Sequence, residues 1–130
     1  MDTPTVRSTR DVRTAPDPFD AADELVNLCP HEICLILEET EHVIPSTGVA
    51  RCAEVRDVIR DMRLAGGEVP LVHTEYGEVK GLPEPTAGKL FIVSHLVAQQ
   101  CPHRLDLVVP DRLVRNHDGV VIAARALARV

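Results

Sequence analysis

Tyr76 and two arginines are the residues of this chain whose chemistry best suits a ligand. The chain has one tyrosine, two phenylalanines and no tryptophan. An aromatic ring stacks on a nucleobase, while arginine binds phosphate at two points and can also stack. Tyr76 lies in TEYGEV, where Gly77 leaves room for a flat ligand, whereas Arg51 follows PSTGVA and Arg104 lies in CPHRLDL. Together these loop-associated groups predict a nucleotide-like ligand, although each arginine alone is better explained by a surface salt bridge.

Catalytic and metal-binding arrangements do not emerge from the sequence. Ser94 and His95 are neighbours that would face opposite ways in a strand, and no G-x-S-x-G turn is present. No glycine-rich phosphate loop and no paired histidine spacing occur. In CPHEIC, an extended chain would point Cys29 and His31 to one face and Cys34 to the other. We therefore expect no enzyme, no metal and no cofactor, and a nucleotide hydrolase ranks last among the alternatives.

The overall charge narrows the class of partner. The 14 basic and 20 acidic residues give a net charge of -6, which disfavours a general binder of DNA or RNA. No apolar run is long enough to span a bilayer, and no secretory signal opens the chain. The four cysteines form no C-x-x-C pair. We expect a soluble, cytoplasmic protein with reduced thiols.

The positions of proline, glycine and apolar residues predict one domain after a leader. Residues 1–20 are polar with three prolines and predict a flexible leader, and residues 21–130 predict a single ligand-binding domain. A short helix is predicted over 21–25. Residues 26–37 predict a bulged strand or two short strands, and HVIPSTGVARC predicts a strand pair that bends at Pro45 and Gly48. Further strands are predicted over 69–79, over 90–93 and in DLVVP, with a hairpin at Asp118-Gly119. A helix capped by Ser94 and ended by Pro102 follows the strand over 90–93.

The segment RCAEVRDVIRDMRLAGG has the clearest helical pattern. Val55, Val58, Ile59 and Met62 follow the i, i+3, i+4, i+7 spacing, and Gly66-Gly67 would end the helix. A β-hairpin also fits the first half of this segment. With the helix favoured, the fold class is α+β, with a mainly antiparallel sheet of roughly six strands capped by about two helices.

Five segments in order resemble a family of small phage and prophage proteins. They are NLCPH, IPSTGVAR, TEYGEVKGLPEP, GKLFIVSHLVA and RLDLVVPD, and they are distributed along most of residues 26–130. The group in turn resembles the first-described type of Thoeris anti-defence proteins, sponges that sequester cyclic ADP-ribose signals made by bacterial TIR proteins. Two departures stand out: Cys29 replaces the usual threonine, and PDRLVRNHDG lacks the Asp-Thr-Gly-Pro of the pattern.

The resemblance implies a function and a set of site residues. It implies an antiparallel sheet with helices, assembled as a dimer or hexamer, with a pocket at the subunit boundary. There an aromatic ring would stack on adenine and arginines would hold the diphosphate. Arg51, Tyr76 and Arg104 match those roles, and Arg125 is the expected further arginine, with Arg129 as the fallback.

The expected activity is that of a non-enzymatic sponge. It would sequester a cyclic ADP-ribose isomer, and in separate pockets cyclic oligonucleotides, in the cytoplasm of an infected bacterium. The alternative is a small phage structural or interaction protein without a small-molecule ligand, whose arginines serve subunit contacts.

Overall fold

The computed structural model describes residues 17–130 and contains eight strands and two short helices in that part of the chain. In chain order the elements are α1 (Pro18–Ala21), β1 (Glu24–Asn27), β2 (Ile33–Leu37), β3 (Thr40–Ile44), β4 (Arg51–Leu64), β5 (Gly67–Lys80), β6 (Lys89–Ile92), α2 (His95–Gln100), β7 (Leu107–Arg115) and β8 (Val121–Ala128). Neither helix reaches the length and apolarity that a bilayer-spanning segment needs.

Six strands form a mixed sheet in the order β1-β6-β7-β8-β2-β3. β1 with β6, β6 with β7, and β2 with β8 are parallel, whereas β7 with β8 and β2 with β3 are antiparallel. The α+β class is confirmed, but the expectation of a mainly antiparallel sheet is wrong for this main sheet. The reason lies in the connections, because α2 carries the chain back across the sheet so that β7 runs parallel to β6.

The central strands are buried on both faces. Along β6 and its extension, Phe91 and Val93 pack in one apolar cluster while Ile92 packs in another, and in β7 Val108 joins the cluster of Ile92. This period-two alternation between two buried faces is typical of central parallel strands. Ser94 caps α2, as predicted, with its Oγ accepting from the N–H of Val97 at 3.3 Å.

The β7–β8 hairpin also forms where the sequence predicts it. Asn116 Oδ1 accepts hydrogen bonds from the N–H groups of Asp118, at 2.9 Å, and Val120, at 3.1 Å. Gly119 in the same turn has a φ of 83°, a conformation that favours glycine. The Asp118-Gly119 signal therefore marked the correct turn.

The predicted leader lies mostly outside the described residues, since the description begins at Asp17. The short helix expected over 21–25 lies instead at Pro18–Ala21, and the chain is extended from Glu24. Asp17 caps this helix and accepts two hydrogen bonds from the Arg129 guanidinium, at 2.6 and 3.0 Å. The same guanidinium lies 3.9 Å from the centre of the Phe19 ring. These contacts tie residues 17–19 to the C-terminal end of the domain.

β4 and β5 form a separate two-stranded sheet, which we call the arm. Each strand has 14 residues, joined by a turn at Ala65-Gly66. The prediction of a helix over residues 51–67 is therefore wrong. Between Val58 and Arg60, β4 has one residue more than β5, the strand with which it pairs. The extra residue interrupts the strand alternation of β4, so the apolar residues before and after it have spacings that resemble those of a helix.

Candidate functional site

Tyr76 lies on one face of the arm, near its attachment to the sheet. Strand register pairs it with Glu54, and the same face carries Cys52 with Val79, Arg56 with Thr74, and Val58 with Val72. We call these eight residues the proximal face. Cys52 and Val79 pack against the core cluster beneath α2, so the face is anchored at its base. Tyr76 itself is 44% exposed and free to meet a ligand.

A carboxylate and a guanidinium flank the exposed ring. Glu54 lies directly across from Tyr76 and Arg56 lies diagonally, with Arg56 Nε 3.9 Å from Glu54 Oε2. The ring can stack on a base, the guanidinium can bind phosphate, and the carboxylate can accept a hydrogen bond from an exocyclic amine. Sequence reasoning missed Arg56, because the segment that contains it was predicted to be a helix. Strand alternation relative to Glu54 would have found it.

Arg51 lies on the arm but not beside Tyr76. It pairs with Lys80, one strand position away from Cys52, which belongs to the proximal face. Because successive strand residues point to opposite faces, Arg51 and Tyr76 are directed to opposite sides of the arm. Arg51 and Lys80 together make a small cationic site there. Within one chain, the structure therefore does not bring Arg51 and Tyr76 together.

Arg104 is engaged in contacts within the chain. Its Nε and Nη2 each donate to the Asp106 carboxylate at 2.9 Å, and Nη2 also donates to the carbonyl of Pro83 at 2.9 Å. The side chains of Arg104 and Asp106 are only 11% and 4% exposed. The hydrogen bonds that Arg104 donates to Asp106 raise the pKa of Arg104 above its ordinary value. Much of this guanidinium is therefore used to hold the loop at Pro83 against the sheet.

The two C-terminal arginines differ in their availability. Arg125 on β8 is exposed, and its Nη1 lies 3.9 Å from Glu39 Oε1. Arg129, the fallback, donates to Asp17 and to the carbonyl of Leu105 at 2.7 Å. The hydrogen bond from Arg129 lowers the pKa of Asp17 to about 2. Of the two, Arg125 has the guanidinium that is freer to meet a ligand.

The predicted site residues thus occupy separate parts of one chain. Tyr76 is on the proximal face, Arg51 on the opposite face of the arm, Arg104 in the loop before β7, and Arg125 on β8. A single copy does not gather them into one cavity. If they act on one ligand, a second copy must supply some of them.

A cavity of considerable size in the described part of the chain lies elsewhere. We call it the groove; its volume is about 570 Å³. It is lined by residues 29–34, by 93–95 at the start of α2, and by residues of β7 and β8 that include Leu113, Val121 and Ile122. Its walls are mainly apolar, and none of the predicted site residues lines it. No local sequence pattern indicates this cavity, because its walls come from four distant segments.

The groove lacks an activated nucleophile. Burial, with a contribution from Glu41, raises the pKa of the Cys34 thiol, and burial raises that of Cys29. Both thiols are therefore protonated at neutral pH and poorly nucleophilic. The Ser94 hydroxyl is occupied in capping α2. Within residues 17–130, no group of three or more histidine, cysteine or acidic side chains is arranged to hold a metal ion.

Comparison of the chain with models of known protein families, with curated proteins and with solved structures finds no significant match. Its function therefore has to be inferred from the residues and their arrangement.

Proposed function

We propose that this protein binds a cyclic nucleotide-derived bacterial immune signal and sequesters it without cleaving it. The ligand class is a cyclic ADP-ribose isomer, with cyclic oligonucleotides as further members. The observation that carries the proposal is the exposed Tyr76 ring beside Arg56 on a face whose base is anchored in the core. In a chain with 2% aromatic residues, such a ring suits the stacking of a base.

Each group near Tyr76 has a role in this proposal. The ring stacks on adenine, and the Glu54 carboxylate accepts a hydrogen bond from the exocyclic amine. Arg56 binds one phosphate of the diphosphate through its planar fork. Such an arrangement binds a ligand and leaves its bonds intact, because it places no base or nucleophile against a scissile bond.

A second copy of the chain completes the site in this proposal. The proximal face covers a ligand from one side only, whereas tight binding of a small molecule needs an enclosed cavity. Arg51 and Arg125 are exposed and lie away from Tyr76 in their own chain, so they are the cations that a neighbouring copy can contribute. Sequestration in the cytoplasm of an infected cell would then withhold the signal from host defence, as in the Thoeris anti-defence proteins that the sequence resembles.

Binding of purified cyclic nucleotides to four arm variants tests the proposal. We expect Tyr76→Ala to weaken binding about tenfold or more, since stacking contributes roughly 1–3 kcal/mol per base, and Tyr76→Phe to bind nearly normally. Arg56→Gln should also weaken binding. Arg63→Gln is the matched control, because Arg63 is an exposed arginine of the same strand that pairs with Glu68 instead. Calorimetry with cyclic ADP-ribose isomers and cyclic di- and trinucleotides measures all four.

The proposal is wrong if none of these nucleotides binds, or if Tyr76→Ala binds as tightly as the unaltered protein. The second candidate function would then stand, an interaction protein without a small-molecule ligand. The exposed apolar residues of the outer arm favour that alternative, since they suit contact with another protein surface.

A further inference from the structure

The outer half of the arm is amphipathic. Beyond the register shift, Arg60 pairs with Leu71 and Met62 with Val69, and Leu64 shares their side of the sheet. We call these five residues the distal face. The other side of the same segment carries Asp61, Arg63, Glu68 and Pro70. Met62, Leu64 and Val69 are each more than 40% exposed, so one copy leaves this apolar face uncovered.

An arm of this kind needs a partner. Two strands joined by a turn are only marginally stable in water without a third strand or a packed layer. Within its own chain, the arm contacts the core through Cys52 and Val79 near its base, and its tip lies beyond that contact. A surface that packs on the distal face would therefore stabilise the outer arm.

The groove is the complementary surface on the main sheet. Leu113, Val121 and Ile122 on its rim are 43–54% exposed, although they are large apolar residues. Glu32 also lines the groove, and the distal face carries Arg60 among its apolar residues. Opposite charges on two otherwise apolar surfaces favour their association over self-association of either one.

We infer that the distal face of one copy lies in the groove of a second copy, and that the two copies exchange arms reciprocally. The 14 residues of each arm strand extend roughly 46 Å at about 3.3 Å per residue, enough to cross a neighbouring domain of this size. A two-fold exchange covers both distal faces and both grooves at once. The first sixteen residues are a poor alternative occupant, because Met1, Val6, Val12 and Ala15 are their only apolar residues apart from prolines.

Cysteine cross-linking tests this arrangement without any ligand. In a Cys52→Ser background, Met62→Cys places a thiol on the distal face, and the native Cys34 lines the groove. We expect a short bis-maleimide to link residue 62 of one copy to Cys34 of another, giving covalent dimers on a denaturing gel. Arg63→Cys is the matched control, since residue 63 is adjacent but on the polar side of the arm, and it should give few dimers.

Removal of Cys34 separates the possible outcomes. Adding Cys34→Ser to the Met62→Cys variant should abolish the dimers. Peptide mapping of any dimers that persist identifies the linked residues. A link between residue 62 of each copy would show that two arms pack on each other and would overturn the inference, whereas a link from residue 62 to Cys29, which also lines the groove, would support it. An absence of covalent dimers before Cys34 is removed would also overturn it, whether the groove is then occupied by residues 1–16, by another protein or by a small molecule.

Charge reversal provides a second test that does not depend on cysteines. Glu32→Arg and Arg60→Glu should each weaken dimerisation several-fold in sedimentation equilibrium, and the double variant should recover most of the loss. Additive losses in the double variant would contradict the pairing. Neither Glu32 nor Arg60 belongs to the proximal face. A negative result here would therefore contradict the arm exchange and leave the proposed ligand site unaffected, and a negative result in the ligand-binding experiment would leave the arm exchange unaffected.

Discussion

Asn27 illustrates at the residue scale how one buried amide shapes the start of the domain. Its Nδ2 donates to the carbonyls of His31 and Ile44, each at 2.9 Å, and its Oδ1 accepts from the N–H of Cys29 at 2.9 Å. The side chain is fully buried, so these bonds replace all contact with water. They hold the chain after β1 and the end of β3 in place, and the first of these segments lines the groove.

Asn27→Asp should lower the free energy of unfolding by about 3 kcal/mol or more at neutral pH. The carboxylate would face two carbonyls that have lost their donors. Because burial raises the pKa of such an acid in the folded state, the loss should shrink as the pH falls toward 4. Urea unfolding at pH 7 and pH 4.5 measures both effects.

Asn116→Asp is the control for this substitution. Asn116 Oδ1 only accepts hydrogen bonds, from the N–H groups of Asp118 and Val120, and a carboxylate can accept both. We expect a change within about 0.5 kcal/mol at this exposed turn. Equal losses of unfolding free energy in Asn27→Asp and Asn116→Asp would contradict the role that we give to Asn27.

Arg104 and Arg125 were predicted from the same resemblance, yet they have different surroundings. Arg104→Gln should cost about 3 kcal/mol of stability, because it leaves the buried Asp106 carboxylate without its partner. Arg125→Gln should cost less than about 1 kcal/mol, since its pair with Glu39 is exposed. Thermal unfolding compares the two variants. A small effect at Arg104 would show that its guanidinium is not needed for folding.

At the scale of elements, the sequence predicts those strands and turns whose signals are local. The strands over 69–79 and 90–93, the cap at Ser94 and the turn at Asp118-Gly119 all lie within the observed elements or beside them. Of the two arm strands, β4 was missed because its apolar residues lie on both sides of a register shift and have helical spacing in the sequence. Parallel pairing was missed because it depends on which distant strands become neighbours, and no local sequence pattern indicates this.

The candidate site was predictable only in part for the same reason. Tyr76 became a candidate because it is the single tyrosine of the chain, and its exposed ring agrees with a role at the surface. Arg56 became a candidate only when strand register placed it diagonally from Tyr76. The groove was not predictable, because its walls come from four segments that become neighbours only in the folded chain, and no local sequence pattern indicates this.

The base of the arm depends on one glycine. Gly81 follows β5 with a φ of 84°, and a Cβ at this position would collide with the carbonyl oxygen of Val49. Gly81→Ala should therefore lower stability by about 2 kcal/mol or more, and it should displace the arm from the body. In the arm turn, a Cβ on Gly66 would meet nothing within 4 Å, so Gly66→Ala is the control and should be nearly neutral. Differential scanning fluorimetry measures the melting temperatures of both variants.

At the scale of the whole molecule, the arm carries two surfaces to which we assign different roles. The proximal face presents Tyr76 and Arg56 beside the body, and the distal face presents an apolar surface beyond the register shift. The proposed arm exchange brings the body of one copy close to the arm of another. That arrangement would give Arg51 and Arg125 a route to a ligand held by the neighbouring Tyr76, which a single chain does not provide.

Native mass spectrometry of the protein after incubation with a cyclic ADP-ribose isomer tests both the binding of the signal and the assembly of the chains. One spectrum gives the number of chains, the number of bound molecules and the mass of the ligand released on activation. We expect an even number of chains that release ligand of unchanged mass, with occupancy lost in Tyr76→Ala. A single chain with no adduct, or release of fragments lighter than the added nucleotide, would contradict it.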